Sequence, residues 1–174
     1  IPLMLMGYYN PLLRYGVERF VTHAQEAGID GLIIVDLPPE EAGLVLKETL
    51  PRNIELTFLL GPTSTHERVR KIADVSTGFI YCVSLTGVTG TTLKIDSRLS
   101  EFVNRVRSET PLPLMVGFGI SSRSQVEAVS NLADGVVVGS ALMNLISDTP
   151  IACRRDRVIQ FIRDLRGASA SFKS

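Results

Sequence analysis

Apolar residues in this chain fall into short unbroken runs, separated by stretches in which they recur every three or four positions. The runs are Ile1 to Met6, Gly31 to Val35, Ile54 to Leu60, Gly78 to Val83, Leu112 to Val116 and Gly135 to Val138. Short runs without alternation predict strands covered on both faces, as in a parallel sheet. Between them, Val17, Phe20, Val21 and Ala24 share one helical face, and Gly28 follows as a stop. Leu44, Val45 and Leu50 supply the apolar side of a helix whose start is Asp36-Leu37-Pro38-Pro39-Glu40-Glu41, with proline and two acids in its first turn, and which ends at Pro51. Leu99, Phe102, Val103 and Val106 mark another, opened by Asp96 or Ser97. Val158, Phe161, Ile162 and Leu165 mark an amphipathic last helix from about Ile151 to Leu165, stopped by Gly167. Six strands alternating with helices predict an α/β protein with a parallel sheet and right-handed crossovers.

The connections carry the candidate chemistry. Gly7-Tyr8-Tyr9-Asn10-Pro11 reads as the turn ending the first strand, and Ser64-Thr65-His66-Glu67 as a capping box. Ser122 and Gln125 have the same capping-box spacing. Asp36 stands at the carboxyl end of the second strand, where it is either a helix-entry residue or a binding residue. After the fourth strand the connection from Ser84 to Ile95 is rich in Gly and Thr and exceeds the usual βα length, which points to a lid or binding loop.

Residues 112–146 hold two strand, turn and helix starts in succession. The first turn is Gly117-Phe118-Gly119-Ile120-Ser121-Ser122 and the second is Gly139-Ser140-Ala141. Helix N-termini present unpaired N–H groups and partial positive charge, and glycines let a ligand approach the backbone. In (β/α)8 barrels phosphate sits after the seventh and eighth strands, at the start of a short extra helix, and Ser140 to Ile146 has that length and position. Either turn alone would be explained by tight packing; the pair points to a phosphate monoester site.

Composition narrows the function without naming it. The 174 residues suffice for one domain, 1–174, and 18 basic against 18 acidic residues leave no net charge to favour nucleic acid or an anionic membrane. Gly135 to Ile146 is too short to span a bilayer. Cys82 and Cys153 do not suggest a disulfide framework, which favours a cytoplasm-like reducing compartment. With only His23 and His66, neither a metal centre nor a Ser-His-Asp triad is expected. A closed barrel needs eight strands where six are counted, and Ile1 already lies inside an apolar run. The expectation is a partial barrel lacking two N-terminal β/α units.

Several strings together resemble the α subunit of tryptophan synthase. They are Met6-Gly7-Tyr8-Tyr9-Asn10-Pro11, Asp36-Leu37-Pro38-Pro39-Glu40-Glu41, Tyr81-Cys82-Val83-Ser84-Leu85-Thr86-Gly87-Val88-Thr89-Gly90, Gly117-Phe118-Gly119-Ile120-Ser121 and Gly139-Ser140-Ala141. The resemblance runs from Pro2 to about Leu165. It implies a TIM barrel that cleaves indole-3-glycerol phosphate to indole and glyceraldehyde 3-phosphate, a carbon–carbon lyase without cofactor, working with a β subunit in an α2β2 tetramer. By motif, Gly90, Phe118, Gly119, Gly139 and Ser140 would hold phosphate. Met6, Tyr8, Ile33, Val35 and Val137 would line the indole pocket, Tyr81 would flank the reacting centre, and Thr89 would sit on the closing lid. The family's catalytic glutamate and aspartate lie on its second strand and the loop after it, upstream of the strand that Ile1 to Met6 resembles, and have no counterpart in these residues. These residues alone are therefore expected to be inactive.

Two other readings compete. One is a non-catalytic phosphate-binding or regulatory module that docks to a β-type partner. The other is a different phosphate-sugar barrel. The lack of strand-end histidines speaks against an epimerase, and the placement of Lys47, Lys71, Lys94 and Lys173 away from strand ends speaks against an indole-glycerol-phosphate synthase. The native source's address, including a plastid if a transit peptide precedes Ile1, is not legible.

Overall fold

The computed structural model describes residues 1–84, 97–117 and 119–167. In chain order the elements are β1 (Met4–Gly7), α1 (Tyr9–Tyr15), α2 (Val17–Glu26), β2 (Gly31–Ile34), α3 (Ala42–Thr49), β3 (Glu55–Leu60), α4 (His66–Val75) and β4 (Ile80–Val83). There follow α5 (Ser97–Arg107), β5 (Leu114–Gly117), α6 (Arg123–Ser130), β6 (Gly135–Val137), α7 (Ser140–Asp148) and α8 (Ile151–Arg166). All six apolar runs contain a strand. Contacts divide the residues into two compact units, one comprising 1–60, 64–81 and 109–112 and the other the remainder.

In the first unit β1, β2 and β3 are parallel neighbours, with Met4 opposite Gly31 and Leu32 opposite Leu56. Register is held at the strand starts by polar groups. The Asp30 carboxylate accepts the Leu3 N–H at 2.7 Å, and Thr77 Oγ1 accepts the Leu56 N–H at 2.8 Å. Leu32, Leu56, Phe58, Val21, Val45 and Val69 form the core; a fully buried side chain of this kind contributes about 1.5–3 kcal/mol.

In the second unit β5 and β6 are parallel, with Met115 opposite Gly135 and Gly117 opposite Val137. Asp134 repeats the role of Asp30: its carboxylate accepts the Leu114 N–H at 2.7 Å, and its own N–H donates to the Leu114 carbonyl at 3.0 Å. Leu99, Phe102, Val103 and Val106 of α5 are all buried, as their helical spacing predicts, with Val126 and Val129 of α6.

Several sequence expectations need correction. Ile1 to Met6 is not a buried strand: β1 begins at Met4, and Leu5 and Met6 are exposed, because β1 is an edge strand that pairs only with β2 among the described residues. The Tyr9-Asn10-Pro11 segment is the first turn of α1 rather than a loop, a place where proline costs no hydrogen bond. Gly16, at φ 94°, separates this additional helix α1 from α2, which carries the expected Val17, Phe20, Val21 and Ala24. Leu44 and Leu50 are exposed; α3 instead buries Ala42, Val45 and Thr49, one helical stripe. The α4 cap is Thr65, whose hydroxyl accepts the Arg68 N–H at 3.2 Å, one residue beyond the expected Ser64. Ile162 of α8 is exposed, and Val158, Phe161 and Leu165 are half-buried.

Candidate functional site

The second unit brings the two glycine turns together. Because Gly117 and Val137 face each other across parallel strands, both chains leave the same sheet edge side by side. After β6, Gly139 caps α7, and its carbonyl accepts the N–H groups of Leu142 and Met143 at 3.0 and 3.1 Å. Gly139 and Ser140 are exposed at this helix start, as is Gly119 in the other turn. The N-terminus of a helix of this length carries partial positive charge, so the edge suits an anion.

The first glycine turn is fastened on both sides. Ser84, buried, donates its N–H and its hydroxyl to the Gly117 carbonyl, each at 3.1 Å. On the far side Gln125 donates Nε2–H to the Gly119 carbonyl at 3.3 Å. Gly119 adopts φ 74°, which an L side chain rarely takes. Ile120 is buried and anchors the turn to the core. Phe118, Thr89 and Gly90 lie outside the described residues, as does the expected lid from Ser84 to Ile95 apart from Ser84 itself, which is buried.

The first unit contains an apolar cavity of about 440 Å³. Met6, Tyr8 and Ile33, three of the expected indole contacts, line it together with Leu5, Pro11 and Tyr15. Val35 is half-buried and does not line it; its N–H donates to the Gly7 carbonyl at 3.0 Å. Val137 is half-buried in β6 of the second unit. Tyr81 is buried in β4, and that burial pushes its phenol above the ordinary value, so the hydroxyl is protonated near neutral pH.

Asp36 resolves to a helix cap, though not of its own helix. Its carboxylate accepts the Tyr9 N–H at 2.7 Å and so closes the start of α1, whose N-cap residue, Tyr8, supplies no side-chain bond. His66 is largely exposed and lies 3.5 Å from Glu109. Among the described residues no group of three or more His, Cys, Asp or Glu side chains is placed to hold a metal, and no helix is long and apolar enough to cross a membrane. Spacing revealed the Ser122 and Gln125 capping box, but nothing in it signalled the reach of Gln125 to Gly119 or of Ser84 to Gly117.

Successive β/α units with parallel strands and glycine turns at their carboxyl ends place the chain among the (β/α)8 barrel proteins, with six strands among the described residues. Its sequence matches the family described as tryptophan synthase alpha chain over residues 1–169, and the chain belongs to that family. It is 48% identical over 166 residues to the tryptophan synthase alpha chain of Roseiflexus sp. (strain RS-1), covering 95% of this chain and 64% of that one. It is 47% identical over 166 residues to that of Geotalea uraniireducens (strain Rf4), covering 95% and 62%. The tryptophan synthase a2b2 complex from Pyrococcus furiosus contains a chain that superposes with TM-score 0.84 at 36% identity, covering 95% of this chain and 67% of that one. The chain thus spans somewhat under two thirds of the length of these sequence relatives.

Proposed function

We propose that the complete protein performs the α reaction of tryptophan synthase, the retro-aldol cleavage of indole-3-glycerol phosphate to indole and glyceraldehyde 3-phosphate. The observation that carries this reading is the pair of glycine turns leaving adjacent strands, in a chain of this family. In the reaction the bond between the indole ring carbon and the glycerol carbon breaks. That ring carbon gains a proton, and the glycerol hydroxyl loses one as its carbon becomes the aldehyde. Positioned carboxyl groups perform such transfers.

Residues of this chain supply the binding. Gly119, Gly139 and Ser140, with Phe118 and Gly90, receive the phosphate through backbone N–H groups and the Ser140 hydroxyl. Met6, Tyr8 and Ile33 of the apolar cavity receive the indole ring, with Val35 and Val137 as further contacts. Thr89 belongs to the closing loop, and Tyr81, protonated, flanks the reacting centre. Indole passes to a β subunit in an α2β2 assembly, as the complex described for the Pyrococcus furiosus relative suggests. Two free cysteines suit a reducing, cytoplasmic setting.

The test is a titration of the full-length protein with indole-3-glycerol phosphate and with inorganic phosphate, paired with an assay for indole. Binding of the substrate, displaced by phosphate, and release of indole are expected; substrate binding without indole release in that protein would remove the proposed cleavage. Loss of both affinities in the native protein would remove the reading.

A further inference from the structure

The Gln125 side chain is nine-tenths buried and does two jobs with its two ends. Its Oε1 accepts the N–H groups of Ser121 and Ser122 at 2.9 and 3.1 Å, with the Ser122 hydroxyl at 3.1 Å, which completes the capping box of α6. Its Nε2 donates to the Gly119 carbonyl at 3.3 Å. The two ends are not interchangeable, since two backbone donors converge on one of them and a carbonyl faces the other.

We propose that Gln125 is a positioning residue for the anion-binding turn, holding the peptide plane between Gly119 and Ile120 so that the glycine turn is preformed for a phosphate. The proposal rests on the phosphate reading above. In a trans peptide the C=O and the following N–H point in opposite directions, so fixing the Gly119 carbonyl toward α6 turns the Ile120 N–H away from it. Gly119 at φ 74° has no side chain to hold that plane by packing, and a glycine is the residue that loses most freedom when ordered. The Ser84 bonds fasten the near end of the turn at Gly117; Gln125 fastens the far end. A capping box needs only an acceptor at this position, and Glu serves as well as Gln. The amide's second end is therefore surplus to the helix.

That surplus makes the two roles separable. Gln125→Glu keeps an acceptor for Ser121 and Ser122 and removes the donor to Gly119. Gln125→Met removes both without adding charge, and Ser122→Ala weakens the cap while leaving Nε2 in place. Inorganic phosphate is titrated into the full-length protein and each variant by ¹⁵N NMR, with thermal unfolding alongside. Phosphate affinity is expected to fall about three- to tenfold in both Gln125 variants, the worth of one hydrogen bond, and to hold in Ser122→Ala. Thermal stability is expected to fall in Ser122→Ala, in Gln125→Met and in Gln125→Glu, whose second carboxylate oxygen would face the Gly119 carbonyl in a buried place, so Ser122→Ala, destabilised with its affinity kept, separates the cap from the turn. The Ile120 amide resonance should move in both Gln125 variants before any phosphate is added. Unchanged affinity in Gln125→Met overturns the proposal even if Gln125→Glu is weakened, because charge alone then explains the loss. If the unaltered protein binds no phosphate, the site reading itself falls, and Gln125 with it.

Discussion

Asp36 accepts the backbone N–H of Tyr9 at 2.7 Å across 27 residues of sequence, so the residue that ends β2 caps the helix that follows β1. Asparagine caps helices as well as aspartate, whereas alanine does not. Asp36→Ala should therefore lower unfolding stability by about 1 kcal/mol, and Asp36→Asn should retain most of it. Urea midpoints of the two variants decide this. Equal losses in both would mean that charge, not the hydrogen bond, holds Tyr9.

The strands were legible because a continuous apolar run has few other uses in a small α/β chain, and α5 because Leu99, Phe102, Val103 and Val106 repeat at helical spacing. What such a run cannot report is which of its flanks is covered, and so Leu5 and Met6 came out exposed on an edge strand. Contacts that depend on tertiary placement left no local mark either. Asp30 reaches Leu3 and Asp134 reaches Leu114 across 27 and 20 residues, spacings set by the intervening helices rather than by a motif. In the candidate site, the glycines were visible as turns, while the side chains that aim them, Ser84 and Gln125, read as a loop serine and a helix cap.

Gly31 and Gly135 open β2 and β6 and each faces a methionine of the neighbouring strand. A Cβ on Gly135 would meet only the thioether end of Met115, which can swing aside. On Gly31 it would meet Met4 in the same way and also lie 3.1 Å from the Glu55 backbone carbonyl, which cannot. Gly31→Ala is expected to cost about 1–3 kcal/mol, as overpacking does, and Gly135→Ala less than about 1 kcal/mol. The reverse order in thermal unfolding would show that β2 shifts more easily than β6.

Cys82 is buried in β4, and burial pushes its thiol up to about 12 against the lowering influence of Arg107, whereas Cys153 is exposed on α8. Only the thiolate reacts with disulfide reagents. The native chain should therefore release one equivalent of thionitrobenzoate at neutral pH, and Cys153→Ser almost none. Denaturant should expose the second. Rapid native labelling of two thiols would mean that β4 opens readily.

Burial acts to raise the Asp134 carboxyl, but the Leu114 N–H and the Arg107 guanidinium outweigh it and hold it below the usual carboxylate range. The native state thus gives up this proton more readily than the unfolded chain does. The stability that follows is complete above the ordinary aspartate pKa, about 4, and is lost as pH falls through the lowered native value. The Asp134 side chain is 45% exposed, so solvent screens the ion pair and its contribution is small. Asp134→Asn keeps an acceptor for Leu114 and removes the titration, so its stability should fall less steeply with acid than that of the unaltered chain. Some acid sensitivity should remain in the variant, because Glu40 of the first unit is also held low, by a backbone hydrogen bond foremost and by Arg68 and Lys71. Identical acid limbs for the two proteins would show that Asp134 titrates no differently folded than unfolded, and that the Leu114 contact serves register alone.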